Sequence, residues 1–247
     1  MRIDVLTLFP EMFSAITEIS IPGRAVESGI LDIKLTNIRD FSADKHRKAD
    51  DSPFGGGAGM VMMADPVFRA LESIRAGGKR LIYMSPRGKP LDYLKVLELS
   101  SESELVVLCG HYEGIDERIV EYCGMEEISI GDYILTGGEL AAMVMIDAVI
   151  RMVQGVLGDV RSAGEESIYS GLLEYPQYTK PREYRGMAVP DVLLNGNHEL
   201  IRLWQFEQSL LLTKEKRPDL FTRFIETNGG GLTKKERKIL EKIIELK

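Results

Sequence analysis

The sequence predicts an α/β fold, a parallel sheet with helices on both faces, followed by a small C-terminal helical domain. Over the first 158 residues, short apolar segments of strand length alternate with segments of helical spacing, as in parallel sheets. Three consecutive predicted strands run into loops rich in Gly, Ser or Tyr. After residue 158 the composition becomes polar, and apolar periodicity returns only as helical faces.

The predicted elements follow one another in strand–helix order. Pro10 ends the first strand, and Gly77-Gly78 ends the helix before the third strand. The third strand runs into a turn at Ser85-Pro86-Arg87-Gly88. We expect strands at 3–9, 30–38, 80–84, 105–109 and 127–130, and helices at 11–19, 65–76, 91–99, 116–122 and 139–153.

The chain divides into three predicted parts. We expect an N-terminal domain at 1–158, a mobile linker at 159–173 and a helical domain at 174–247. The linker is polar with little periodicity, whereas 201–212 and 233–246 each show an apolar helical face. No internal repeat is present.

Composition bounds the class of protein. A hydrophobic fraction of 44% over 247 residues excludes general disorder. The apolar segment Leu140–Ile150 is too short to span a bilayer and contains Asp147, and Asp4 interrupts any apolar leader. The two cysteines form no disulfide framework or metal-ligand spacing. We therefore expect a soluble cytoplasmic protein without a membrane partner and without a metal site that spacing can identify.

The glycine-rich loops are the candidate binding elements. Phe54–Met60 holds four glycines, but no Gly-Lys-Ser/Thr follows, so it is not a phosphate loop. Cys109–Arg118 and Ser129–Leu140 each follow a predicted strand. Ligands of parallel sheets lie beyond the carboxyl ends of the strands, so these loops are candidate walls of one pocket. Without a phosphate loop, a nucleoside ligand is favoured over a nucleotide, although each loop alone also fits an ordinary connection.

Four charged residues are candidates for chemistry. Glu113 can accept hydrogen bonds from a base edge. Arg151, in the apolar helix predicted at 139–153, requires an acidic partner, a carbonyl or a ligand, and a structural ion pair satisfies it equally well. Glu165 and Glu166 lie in the predicted linker, where solvated charges are common.

Seven motifs occur in one order along nearly the whole chain. They are DDSPFGGGAGM, YMSPRG, CGHYEGIDER, SIGDYILTGGEL, IDAVIR, GLLEYPQYTKP and VLLNGNHELIRLW. In this order and spacing, they resemble the bacterial tRNA (guanine-N1-)-methyltransferase family of the SPOUT class. Each motif alone is weak, but the combination is specific.

The resemblance implies a fold and an activity that periodicity does not reveal. It implies the SPOUT fold with a deep trefoil knot, although true knots are nearly absent from proteins. The implied activity is methyl transfer from S-adenosylmethionine to N1 of the tRNA guanine immediately 3′ of the anticodon, position 37, which maintains the reading frame. A homodimer with active sites at the subunit interface is implied, as is Mg²⁺ near the target base or the catalytic carboxylate.

The resemblance also assigns site residues. It places Glu113 near the target guanine, Arg151 in contact with it, and Glu166 at the position of the general base, where the family has Asp; Glu165 is an adjacent alternative. His111 stands where the family has Arg. The implied donor pocket consists of Tyr83, Met84, Ser85, Pro86, Gly110, Tyr112, Glu113, Gly114, Ile130, Gly131, Asp132, Tyr133, Ile134, Leu135, Gly137, Gly138 and Leu140.

Two alternatives remain open beside this function. One is a methyltransferase of the same class that acts on another RNA position, and the other is a non-catalytic module that binds the donor or RNA.

The charge distribution bears on RNA binding. The net charge is −7, but residues 1–173 carry −10 and residues 174–247 carry +3. Since phosphate binding needs Lys and Arg, we expect RNA affinity in local patches. The candidates are Lys45-His46-Arg47-Lys48 and, in the helical domain, Lys214, Lys216, Arg217, Lys234, Lys235, Arg237 and Lys238.

Overall fold

A computed structural model describes residues 1–157, 170–228 and 231–245. The chain divides into two compact units, Met1–Gly158 and Asp159–Lys247. Most of the predicted linker, including Glu165 and Glu166, lies outside the described residues.

A five-stranded parallel sheet forms the centre of the first unit, as the sequence predicts. The strand order is β2-β1-β6-β5-β7, and every neighbouring pair is parallel. Two-residue strands β3 and β4 pair antiparallel in the long polar segment. The strands are β1 Arg2–Thr7, β2 Asp32–Asn37, β3 Asp50–Asp51, β4 Val61–Met62, β5 Arg80–Pro90, β6 Glu104–Cys109 and β7 Glu126–Ser129.

Helices cover both faces of the sheet. The helices of this unit are α1 Ser14–Thr17, α2 Ser20–Glu27, α3 Ala64–Ser73, α4 Tyr93–Ser100, α5 Glu117–Cys123 and α6 Glu139–Ile150. Successive residues of β6 alternate between two cores: Leu105 and Val107 pack with α1, α2, α4 and α6, whereas Val106 and Leu108 pack with α3 and α5. A strand buried on both faces reads as a continuous apolar run, which is how the sequence presents β6.

Two elements differ from the predictions at proline-containing segments. The predicted helix at 11–19 is a short 3₁₀ helix, Pro10–Phe13, followed by α1, and the separate α2 was not predicted. Pro22 lies in the first turn of α2, where a missing N–H leaves no intrahelical bond unmade. A proline usually indicates the end of a helix, so the sequence does not predict α2.

Strand β5 is interrupted where the sequence predicts a turn. Met84 and Lys89 both lie opposite Ile128 of β7, so residues 85–88 loop out of the ladder and the strand then resumes. The loop projects a short segment from the middle of the strand without ending its pairing with β7.

Helix α6 ends earlier than predicted, and this changes the position of Arg151. The helix stops at Ile150, and Arg151 is its half-buried C-cap rather than a residue deep in an apolar helix. Along α6, Leu140, Val144 and Asp147 are exposed at spacings of four and three residues, while the opposite face is buried. Arg151 continues this spacing by four more residues.

The second unit is helical, with a short hairpin. Its elements are β8 Glu183–Tyr184, β9 Met187–Ala188, α7 His198–Lys216, α8 Pro218–Asn228 and α9 Lys234–Glu245. The helices enclose an apolar core that includes Leu210, Phe221 and Ile243. Helix α9 begins with a capping box, in which the Thr233 hydroxyl accepts from the Glu236 N–H (3.3 Å) and the Glu236 carboxylate accepts from the Thr233 N–H (2.8 Å).

Among the described residues, no helix is long and apolar enough to cross a membrane.

Candidate functional site

A cavity of about 500 Å³ lies at the carboxyl ends of β5, β6 and β7. Its walls come from the segment looped out of β5, the loop after β6, and the loop between β7 and α6. These are the three segments that the sequence selects as walls of one pocket. The volume falls within the range of small-molecule sites.

Most of the residues predicted to bind the donor lie around this cavity. Only Asp132 and Leu140 of the predicted set do not line it; both are exposed, and Leu140 lies on the exposed stripe of α6. The predicted residues that line it are Tyr83, Met84, Ser85, Pro86, Gly110, Tyr112, Glu113, Gly114, Ile130, Gly131, Tyr133, Ile134, Leu135, Gly137 and Gly138.

The cavity also has lining residues that are absent from the predicted donor set, although most of them lie in the predicted wall loops. Arg87 is the most notable of these residues, since the sequence predicts only a turn at its position. An arginine in a loop directly after a predicted strand is the signal that could have indicated it. The unassigned lining residues are Arg87, His111, Ile115, Glu117, Ile128, Ser129, Thr136 and Ala141.

Two glycines allow the loops of the cavity to touch. The Gly138 N–H donates to the Gly110 carbonyl at 2.7 Å. A Cβ on Gly138 would lie 3.0 Å from the Cys109 Cα, and one on Gly110 would lie 2.8 Å from the Tyr83 ring. A side chain at position 138 would press on the backbone of the loop after β6, and one at position 110 would displace the Tyr83 ring, so the shape of the cavity depends on these glycines.

A tight turn places Glu113 at the mouth of the cavity. Tyr112 adopts a left-handed backbone conformation (φ 59°), unusual for a residue with a side chain, and its hydroxyl accepts from the Arg39 guanidinium at 3.2 Å. The Glu113 N–H donates to the Met60 carbonyl at 3.0 Å. Glu113 is exposed, and Gly59 of the glycine-rich loop lies against its side chain. Two motifs that are distant in sequence thus meet beside one carboxylate.

The charge of the cavity is slightly acidic. Arg87 pairs with Glu117 (3.0 Å) and with Glu127 (3.1 Å), so its guanidinium is already compensated. The hydrogen bond that Arg87 donates to Glu117, opposed by partial burial and aided by Glu127, raises the pKa of Arg87 above its ordinary value. Glu113 adds a second carboxylate to the lining beside Glu117. Such a lining suits a neutral or cationic ligand better than a phosphate.

Tyr83 forms the floor of the cavity, under the loop after β6. Its side chain is 6% exposed, and burial raises the pKa of the Tyr83 phenol above its ordinary value. The phenol therefore stays protonated at neutral pH and acts as a polar but uncharged surface.

Arg151, the other predicted catalytic residue among those that the structure describes, does not line this cavity. Arg151 lies at the far end of α6, about 20 Å along the helix axis from Gly138 at 1.5 Å per residue. That separation exceeds the length of an arginine side chain. Glu165 and Glu166 lie outside the described residues.

Comparisons with known proteins point to one family. A family model described as "tRNA (Guanine-1)-methyltransferase TrmD" matches residues 1–223. A protein of Ruminiclostridium cellulolyticum is 54% identical over 92% of this chain and 99% of its own length. Relatives from Pelotomaculum thermopropionicum and Desulforamulus reducens are each 52% identical, over 99% and 97% of this chain and 96% and 94% of their own lengths. All three are named tRNA (guanine-N(1)-)-methyltransferase.

The raised pKa of Tyr83 predicts a pH-dependent stability term. A phenol with a raised folded-state pKa contributes its full stabilisation below the unfolded-state pKa of about 10. This contribution to the free energy of unfolding is lost as pH rises from there through the folded-state pKa. Wild type should therefore lose more free energy of unfolding between about pH 9 and about pH 11 than Tyr83→Phe. Urea denaturation at each pH measures the difference.

The matched control is Tyr122→Phe, since Tyr122 is 84% exposed. This variant should follow the wild-type pH dependence. Equal losses in wild type and Tyr83→Phe would show that the phenol is not held neutral in the folded state.

Proposed function

The chain belongs to the tRNA (guanine-1)-methyltransferase family, and we propose that its target is the guanine immediately 3′ of the anticodon, position 37. It is a methyltransferase that modifies N1 of guanine in tRNA. Methylation at position 37 would maintain the reading frame. The observation that carries the proposal is the family match over residues 1–223 combined with a glycine-walled cavity at the expected edge of the sheet.

We propose S-adenosylmethionine as the specific methyl donor, bound in this cavity. The donor supplies an electrophilic sulfonium methyl group. The described residues fit it in two respects: Gly110 and Gly138 let the walls of the cavity come into contact, and the lining has two carboxylates against one compensated guanidinium. A cationic nucleoside without phosphates matches such a lining, and exposed backbone groups at 130–138 suit the adenine edge.

The chemistry at the guanine needs a base, because N1 carries a proton and is a poor nucleophile. A carboxylate within hydrogen-bond reach that removes this proton typically contributes about 10²–10⁴-fold. We assign that role to Glu166, with Glu165 as the alternative. As the proton leaves, negative charge develops toward O6, and Glu113 at the mouth of the cavity is placed near the base edge.

Arg151 fits the role of stabilising the charge at O6. A guanidinium is permanently charged and planar, so it can hold a developing oxyanion through paired hydrogen bonds. Within one subunit, however, α6 carries Arg151 about 20 Å from the cavity wall at Gly138. If Arg151 and Glu113 act on one guanine, they must come from different subunits.

The exposed stripe of α6 supports a homodimer built in this way. Leu140 and Val144 are 48% and 51% exposed on a helix whose other face is buried in the core. Ile134, in the loop before the helix, is 80% exposed. Apolar surface of this kind typically marks an interface. Arg151 extends the same stripe, so pairing two copies through it would bring each Arg151 to the interface.

We propose that the predicted helical domain, residues 174–247 of the second unit, binds the tRNA. Several of its basic residues are engaged within the unit: Lys214 donates to the Ile243 carbonyl (2.6 Å), and Arg217 and Lys235 pair with Asp219 (2.7 Å) and Glu199 (2.6 Å). Phosphate contact is therefore best assigned to the exposed residues Lys216, Lys234, Arg237 and Lys238. In the first unit Lys45 is exposed, while Arg47 and Lys48 pair with Asp40 and Asp51.

Three further features belong to the proposal. The SPOUT trefoil knot is part of the proposal, and the bond from the Gly138 N–H to the Gly110 carbonyl, which holds the loop before α6 against the loop after β6, supports it. Mg²⁺ is placed near the target guanine or the carboxylate that acts as general base. Among the described residues, no group of three or more His, Cys, Asp or Glu side chains could hold it, and no proposed catalytic step depends on it.

The cytoplasm, where tRNA is matured and used, is the proposed location.

The function is tested with labelled S-adenosylmethionine and unmodified tRNA transcripts that differ only at position 37. Label should transfer to the transcript with guanine and not to its counterpart with adenine, because only guanine presents the N1 and O6 pair described above. Transfer to both transcripts would favour another RNA position. Donor binding without any transfer would favour a non-catalytic module.

A shared active site predicts complementation between two inactive variants. Arg151→Ala and Glu113→Gln should each lose most activity as homodimers. Mixed dimers contain one site with both native residues, so random pairing should restore roughly a quarter of wild-type turnover. Turnover is measured after co-refolding the two variants at equal concentration. Activity no higher than that of the separate variants would contradict the shared site.

The base assignment predicts a difference between two adjacent glutamates. Glu166→Gln should retain donor affinity and lose turnover by about 10²-fold or more, because the amide cannot accept the N1 proton. Glu165→Gln serves as the matched control and should be mild. Single-turnover methylation together with donor calorimetry separates the two steps. A severe Glu165→Gln variant beside a mild Glu166→Gln would reverse the assignment.

A further inference from the structure

Two walls of the donor cavity meet at a junction built from residues 109–111 and 137–139. The backbone bond from Gly138 to Gly110 joins them, and His111 and Gly137 form an isolated antiparallel bridge. The contact aligns the loop after β6, which carries Glu113, with the loop before α6. Whatever stabilises this junction also positions both walls.

A buried carboxylate lies under the junction. Glu139, the first residue of α6, is 1% exposed, and its Oε1 accepts a hydrogen bond from the Thr7 hydroxyl at 2.8 Å. Its Oε2 lies 3.9 Å from the Nδ1 of His111. That Nδ1 is itself buried and has no hydrogen-bond partner among the described residues.

Gly137 allows the side chains of Glu139 and His111 to come close to each other. A Cβ on Gly137 would lie 2.4 Å from the Glu139 Oε2 and 2.5 Å from the His111 Nδ1. The two side chains therefore face each other across the space that a glycine leaves open. A buried carboxylate with one hydroxyl partner is costly unless a cation compensates it.

The described surroundings of Glu139 supply no other basic side chain. His111 is the only basic side chain within ion-pair distance of Glu139 in the part of the chain that the structure describes. Its other neighbours are the Phe9 ring (5.1 Å between centroids) and the Tyr112 ring (4.9 Å). Cys109 faces Glu139 from β6, and burial, reinforced by the Glu139 charge, raises the pKa of this thiol well above its ordinary value, so it stays neutral.

We propose that protonated His111 pairs with Glu139 and thereby holds the donor cavity in its binding shape. Glu139 is a positioning residue, since it does not line the cavity and acts through the loops that do, whereas His111 lines the cavity and its proposed role is to pair with Glu139. Donor affinity is then linked to proton uptake by His111. The inference rests on the proposed binding of S-adenosylmethionine in this cavity.

The direction of the linkage follows from the pair. A histidine side chain gains its positive charge as pH falls and loses it as pH rises. Loss of the cation leaves Glu139 uncompensated under the junction and loosens the two walls. Donor affinity should therefore fall as pH rises. The resembling family has arginine at this position, a permanent cation, so the dependence is expected of this chain and not of an arginine-bearing relative.

The test is calorimetric titration of the RNA-free protein with S-adenosylmethionine at about pH 6 and about pH 8. Wild-type affinity should fall about fivefold or more between the two, the low end of ordinary couplings between sites. His111→Arg should bind with the high affinity at both pH values. His111→Gln and Glu139→Gln should each lack the dependence, since one removes the cation and the other the carboxylate. His198→Gln, at an exposed histidine outside the cavity, is the matched control and should keep the wild-type dependence.

The outcomes separate the inference from the proposed function. Equal wild-type affinity at both pH values, or the same pH dependence in His111→Arg as in wild type, would overturn the inference and leave donor binding intact. Wild-type protein that binds no S-adenosylmethionine at either pH would overturn the donor site itself, and the inference with it. If His111→Gln fails to fold, as circular dichroism would show, His111→Arg against wild type still decides the question.

Discussion

The cavity at the carboxyl ends of β5, β6 and β7 depends on one close contact between backbones, that of Gly138 with the Cys109–Gly110 segment. The 2.7 Å bond from the Gly138 N–H to the Gly110 carbonyl joins the start of α6 to the end of β6. Neither position has room for a side chain. This contact fixes the position of Glu113 at the mouth of the cavity and the direction in which α6 leaves it. It also buries Glu139 beneath the junction. The glycines of the sequence motifs are thus requirements of packing as well as of ligand access.

The direction of α6 links the chemistry of the site to assembly. The helix starts at the cavity and ends about 20 Å away at Arg151, with an exposed apolar stripe along its length. A monomer therefore separates the two groups that the reaction would need together. The charge distribution makes a similar division, because the first 173 residues carry −10 while the remaining 74 carry +3. A slightly acidic cavity can hold a cationic donor while RNA phosphates are bound elsewhere.

The sequence predicts most of the fold, and its failures have local causes. Alternating apolar strands and helical segments are enough to predict the parallel sheet, because both faces of strands such as β6 are buried. Helix α2 was missed because Pro22 was not considered as a first-turn residue. The end of α6 was set too late, since Met152 and Val153 extend the apolar pattern beyond the hydrogen-bonded helix. Apolar periodicity in the sequence indicates which residues are buried. It does not indicate the residue at which the backbone hydrogen bonds of a helix end.

Within the site, three loops were predicted correctly as walls of one cavity, whereas Arg87 and Glu139 were not identified. Arg87 sits in a segment whose length suggests a simple turn, and only the resumed pairing of β5 with β7 shows that it is looped out into the cavity. Glu139 reads as an ordinary acid at a helix N-terminus. Its burial beside Thr7 depends on a contact between residues 132 positions apart, which no local pattern can reveal.

The central claim is that three separate loops form one donor site. Hydrogen–deuterium exchange of the RNA-free protein with and without S-adenosylmethionine tests it most directly. The account predicts simultaneous protection of residues 83–86, 110–114 and 130–138, with α7, α8 and α9 unchanged. Protection confined to one of these loops, or located in the helical unit, would contradict it.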